Sequence, residues 1–114
     1  MQSVYSTFLP TAYLSNTLKK NLTDNIKKNL LQFSEIEKII LFGSFVTSRT
    51  PNDIDIAIFQ KSNDNYLTLS MKYRKALREI SKLIPLDIVP VKSNSNGAFL
   101  KEIEEGKIIY EKRD

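Results

Sequence analysis

The sequence predicts a small α/β (α+β) domain, with helices packed on one mixed sheet of about four strands. Three features lead to that class. Short apolar, β-branched runs recur at 36–42, 53–59, 86–91 and 107–112. Stretches with apolar residues at helical spacing lie between them, and no repeat, low-complexity tract or linker divides the chain. A chain of 114 residues then makes one domain, 1–114, with a single modest core.

The elements follow in order. Residues 1–10, polar and aromatic and closed by Pro10, read as an extended arm. From about Thr11 to Leu31, Leu14, Leu18, Leu22, Ile26 and Leu30 recur every four residues. That spacing puts one apolar stripe on a helix, with Lys19, Lys20, Lys27 and Lys28 around it. "IEKIILF", 36–42, ends at Gly43 and reads as a buried strand, after which Ser44 can open a short helix. "DIDIAIF", 53–59, alternates strictly and reads as a second strand.

After the "KSNDN" turn, Leu69, Tyr73, Ala76, Ile80 and Leu83 give one helix across 66–84, with Lys72, Arg74, Lys75, Arg78 and Lys82 mostly outside. Pro85 stops it. "LDIVPV", 86–91, is a third strand, and Pro90 places it at a sheet edge or at its own end. "SNSNG" is a loop, "AFLKEIEEG" (98–106) a short helix with Gly106 at its C′ position, and "KIIYEK" (107–112) a final strand.

Composition excludes whole classes of chemistry. The chain has no cysteine and no histidine, so it carries no disulfide, no thiolate or imidazole zinc site, no Cys nucleophile and no His-based triad. Any metal must be held by oxygen, which selects Mg²⁺, Mn²⁺ or Ca²⁺. No apolar run approaches the ~20 residues that cross a bilayer, and the start shows no secretory pattern; the cytoplasm is the expected compartment. The net charge of +4 is mild and carries little weight.

Two aspartates inside an apolar strand need a reason. Alternation puts Asp53, Asp55 and Ala57 on one face and Ile54, Ile56 and Ile58 on the other, and the isoleucine face belongs to the core. Two carboxylates sharing a face repel, and a divalent cation between them relieves that repulsion. Asp87 stands opposite Leu86 and Ile88 in its own strand, so adjacency of the two strands would complete a three-carboxylate cluster able to hold two Mg²⁺ ions. Gly43 permits close backbone approach, and Ser44 at a helix start suits a phosphate.

"LFGS…NDIDIAIF…LDIVPV" resembles the minimal nucleotidyltransferases of the DNA polymerase β superfamily, over about residues 34–112. Their signature is a strand, Gly-Ser, a loop, Asp-x-Asp on the next strand and a further acidic residue on a later one. The resemblance implies that Gly43 and Ser44 bind a triphosphate, that Asp53 and Asp55 ligate both metals, and that Asp87 ligates the catalytic metal and serves as base. This chain departs from the usual pattern: Val46, Thr47 and Ser48 stand where Ala, Arg and Gly usually fall, the loop to Asp53 is shorter, and Asn52 replaces Ser. Arg49 is close enough in sequence to replace the missing arginine at the nucleotide.

The resulting expectation is an Mg²⁺-dependent nucleotidyltransferase, with Mn²⁺ as a substitute, that moves AMP from ATP onto a hydroxyl. The chain has little beyond a catalytic core to grip an acceptor, so a partner would supply it. Members of this group resemble antitoxins that silence a HEPN-type toxin by adding AMP to a tyrosine. Neither a membrane nor a nucleic acid is expected as partner; a homodimer or hetero-oligomer is compatible. Two alternatives stand beside it: a non-catalytic antitoxin acting by contact, and a small-molecule, aminoglycoside-type nucleotidyltransferase.

Overall fold

The computed structural model describes residues 14–92, 101, 103 and 105–113. The arm expected at 1–10 lies outside them, as does most of the helix expected at 98–106; Lys101 and Ile103 of that segment are helical.

Helix α1 (Asn16–Leu30) starts where Ser15 accepts a hydrogen bond from the Leu18 N–H at 3.1 Å, a side-chain cap on the first free turn. Lys27 and Lys28 sit in its last turn, where cations suit the exposed carbonyls. The expected stripe is its inner face: Leu22, Ile26 and Leu30 are buried, and Leu18 is partly so. Strand β1 (Ile36–Phe42) follows, then the single-turn helix α2 (Ser44–Thr47) and strand β2 (Ile54–Gln60). Helices α3 (Tyr66–Ala76) and α4 (Arg78–Ser81) lead to β3 (Leu86–Lys92), and β4 (Lys107–Glu111) closes the described chain.

The four strands form one sheet in the order β3-β2-β1-β4. β1 is antiparallel to β2 and to β4, whereas β2 and β3 run parallel. The sheet is therefore mixed, and β3, which contains Pro90, is an edge strand, where a residue without an N–H is tolerated.

The isoleucine face is the core face. Ile39, Leu41, Ile54, Ile56, Ile58, Leu86 and Ile88 pack there with the buried residues of α1 and α3. The opposite face is not simply open: among the described residues, Ile40, Phe42, Ala57 and Val91 form a second apolar cluster with Ile103. Phe42 of that cluster is the cross-strand partner of Asp55, so the apolar group reaches the acidic end of the face.

The helical stretch 66–84 differs from expectation in being two helices and in two of its five inward positions. Leu77, at φ −106° and ψ 20°, breaks it into α3 and α4, and its N–H still bonds the Tyr73 and Arg74 carbonyls. The inward residues become Leu69, Tyr73, Leu77, Ile80 and Ile84, while Leu83 is 40% exposed and Ala76 only half-buried. Leu69, Tyr73 and Ile80 thus face inward as expected, while Leu77 and Ile84 take the places of Ala76 and Leu83. Beneath α3, Lys72 Nζ pairs with Glu35, the Tyr73 hydroxyl donates to the same carboxylate at 2.9 Å, and Lys72 lies over the Phe33 ring at 4.9 Å.

Candidate active site

The site forms where β1 ends and β2 begins. Phe42 is paired with Asp55 across β1 and β2, so the next residue, Gly43, lies beside the Asp55 carboxylate. A Cβ placed on Gly43 would fall 2.1 Å from Asp55 Oδ2, closer than atoms can approach. Its φ of +76° is a second reason for glycine, because a side chain strains that conformation. The chain then turns into α2, with Val46 N–H bonded to the Gly43 carbonyl (3.1 Å) and Ser48 N–H to the Ser44 carbonyl (2.8 Å).

The expected adjacency of the acidic strands is present. Asp55 on β2 is the register partner of Asp87 on the parallel strand β3, and alternation sends both to the same face. Asp55 is half-buried and Asp87 exposed. Asp53 stands one residue ahead of β2 rather than within it; the strand is anchored just after it by Ile54 N–H to the Pro85 carbonyl at 3.0 Å. Among the described residues, no group of three or more acidic side chains is gathered closely enough to hold a metal ion as it stands.

The donor chemistry nevertheless fits a hard divalent cation. All candidate ligands are carboxylate oxygens, two of them in register on neighbouring strands, and the missing Cβ of Gly43 leaves room against Asp55. A cleft of about 200 Å³ opens beside the turn, lined by Phe42, Gly43, Val46, Thr47, Glu105 and Gly106. Gly106 is a glycine for want of space, not for a left-handed cap: a Cβ there would lie 2.3 Å from the Leu41 carbonyl oxygen.

Arg49 follows the turn, and its carbonyl accepts from the Leu14 N–H at 2.8 Å. It does not line the cleft beside Gly43, and its charge acts on Lys19. Lys19 stands in the sequence reading only as one of the lysines around the first helical stripe, with no role at the site. Its Nζ, on α1, donates to the carbonyls of Phe45 (2.7 Å) and Ser48 at the end of α2. Burial, and then the Arg49 charge, hold its pKa below the ordinary lysine value. Only its place among four lysines of an amphipathic helix was visible in the sequence, and that pattern marks none of them.

The strand that ends in a Gly-Ser turn and the acidic residues in register on two parallel strands lie together at one end of the sheet. The family model described as "Polymerase beta, Nucleotidyltransferase" matches residues 24–114, and the chain belongs to that family. No curated protein matches it by sequence. Among solved structures, it is similar to a chain of a tri-AMPylated Shewanella oneidensis HEPN toxin in complex with MNT antitoxin, at a TM-score of 0.58 and 21% identity, over 82% of this chain and 73% of that one. A toxin–antitoxin MntA–HepT structure gives 0.55 and 20%, over 82% and 73%. A toxin–antitoxin structure with AMP-PNP gives 0.57 and 22%, over 80% and 74%. At these identities the likeness is one of fold.

Proposed function

We propose that this chain transfers AMP from ATP to a hydroxyl of a protein partner, a tyrosine of a HEPN-type toxin, and thereby acts as an antitoxin. The observation that carries the reading is the register of Asp55 with Asp87 beside Gly43, in a polymerase β-type domain. The structures of similar fold, in which an MNT antitoxin accompanies a HEPN toxin and one contains AMP-PNP, support the choice of donor and partner. A cytoplasmic setting, rich in ATP and Mg²⁺, goes with it.

In this reading the Gly43–Ser44 turn, with Arg49, holds the triphosphate. Asp53, Asp55 and Asp87 would hold divalent cations, two Mg²⁺ or Mn²⁺ ions, whose charge neutralises the phosphates and the leaving pyrophosphate. Asp87, exposed at the sheet edge, accepts the proton of the acceptor hydroxyl. The hydroxyl oxygen forms a bond to the α-phosphorus, the bond from that phosphorus to the α–β bridging oxygen breaks, and pyrophosphate departs. Positioning and charge neutralisation supply most of the acceleration.

The test uses ATP, Mg²⁺ and a HEPN-fold partner, with the partner's mass read for added AMP. Asp53→Ala with Asp55→Ala is expected to abolish the addition while the two proteins still associate. Toxin neutralisation that survives both substitutions would mean that contact, not transfer, does the silencing.

A further inference from the structure

Helix α2 is a single turn of four residues, too short to hold its own shape. Within it, Val46 and Ser48 N–H groups bond back to Gly43 and Ser44. Two carbonyls at its end, those of Phe45 and the capping Ser48, are satisfied from elsewhere in the fold. Lys19 Nζ, 26 and 29 positions earlier in the chain, donates to Phe45 O and Ser48 O and lies 5.4 Å from the centre of the Phe45 ring. The Leu14 N–H, at the start of the same region, holds the Arg49 carbonyl just beyond. Among the described residues no carboxylate pairs with the Lys19 ammonium, so its half-buried charge is committed to this turn.

A cation here is costly to bury, and an apolar side chain would fill the same space without that cost. An ammonium offers something an apolar group does not: two directed donors that fix the far end of the turn, and with it the pose of Ser44 at the near end. We propose that Lys19 is a positioning residue for the triphosphate, acting through α2 to hold the Gly43–Ser44 turn in its phosphate-binding pose. The inference rests on the nucleotide-transfer reading above.

The test titrates the full chain with ATP and with AMP, both with Mg²⁺, by calorimetry. Lys19→Met keeps the stem and removes the donors; Lys19→Arg keeps a cation. Lys19→Met is expected to weaken ATP about tenfold while AMP, which lacks the β- and γ-phosphates, changes less than about twofold, and Lys19→Arg recovers most of the loss. Equal weakening of both nucleotides, or none, overturns the assignment and leaves Lys19 a packing residue. If Lys19→Met does not fold, Lys19→Gln, whose donor nitrogen sits one atom nearer the backbone, is titrated in its place: an ATP-to-AMP affinity ratio equal to wild type overturns the assignment. A wild-type chain that binds no ATP removes the transfer reading, and this inference with it; a wild-type chain that binds ATP and is matched by Lys19→Met removes the inference alone.

Discussion

Position 43 meets two independent demands, a positive φ and a carboxylate where a Cβ would stand. Gly43→Ala is expected to cost about 1–2 kcal/mol of stability from the backbone alone, and to displace Asp55 as well. Urea unfolding checks the first effect; nucleotide titration checks the second, with ATP affinity falling by about tenfold or more. Wild-type ATP affinity in that variant would mean Asp55 does not need its present place. At this scale, the strand face of Asp55 and that of Asp87 were legible, because alternation in two short strands sets each aspartate opposite the apolar residues beside it. Their adjacency required the strand order, which alternation does not contain. Lys19 was illegible: its partners are carbonyls, and no residue type in the sequence announces a carbonyl.

Among the elements, periodicity placed the inner face of α3 at Leu69 and Tyr73 correctly. It missed only around and beyond the break, where Leu77 and Ile84 turn inward in place of Ala76 and Leu83. No glycine or proline marks the break at Leu77, and beyond it Ile80 stays inward while Ile84 takes the place of Leu83. What anchors α3 is the Glu35–Lys72–Tyr73 group. Burial alone would raise the Glu35 carboxyl, but hydrogen bonds from Lys72 and Tyr73 and the Lys72 charge outweigh it, and the pKa is lowered. Burial, followed by the Glu35 carboxylate, raises the Tyr73 phenol far above its ordinary value. A lowered carboxyl stabilises the fold fully above the unfolded Glu value of about 4.3, and the contribution is lost as pH falls through the folded pKa. A raised phenol is stabilising below the unfolded Tyr value of about 10 and is lost as pH rises above it. Glu35→Gln should therefore flatten the acid limb of a pH–stability curve and, with Lys72 a third exposed, cost about 1–2 kcal/mol at neutral pH. An unchanged acid limb in thermal melts from pH 3 to 7 would contradict this.

In the molecule as a whole, the described residues pack differently on the two sheet faces. The isoleucine side carries the main core, and the side shared with Asp55 carries a second cluster around Ala57 and Ile103. Ile56→Ala, in a side chain with no exposure, is expected to cost about 2–5 kcal/mol, against about 1 kcal/mol for Val89→Ala on the other side. Chemical denaturation of both variants checks the asymmetry; equal costs would deny it. The class of the fold, a mixed four-stranded sheet with helices, was legible from strand runs and their spacing, since burial on a sheet imposes a period of two. The second cluster was not, because Ile40, Ala57, Val91 and Ile103 are scattered along the chain and join only once the strands are ordered.

The parallel join of β2 to β3 has one more consequence. The connection between them, through α3 and α4, can lengthen or shorten at its surface turns without disturbing which residue of one strand faces which of the other. A single residue gained inside either strand ahead of its aspartate would instead rotate that carboxylate into the oily interior. The domain can thus vary freely along its periphery while its acidic pair stays locked to the pleat.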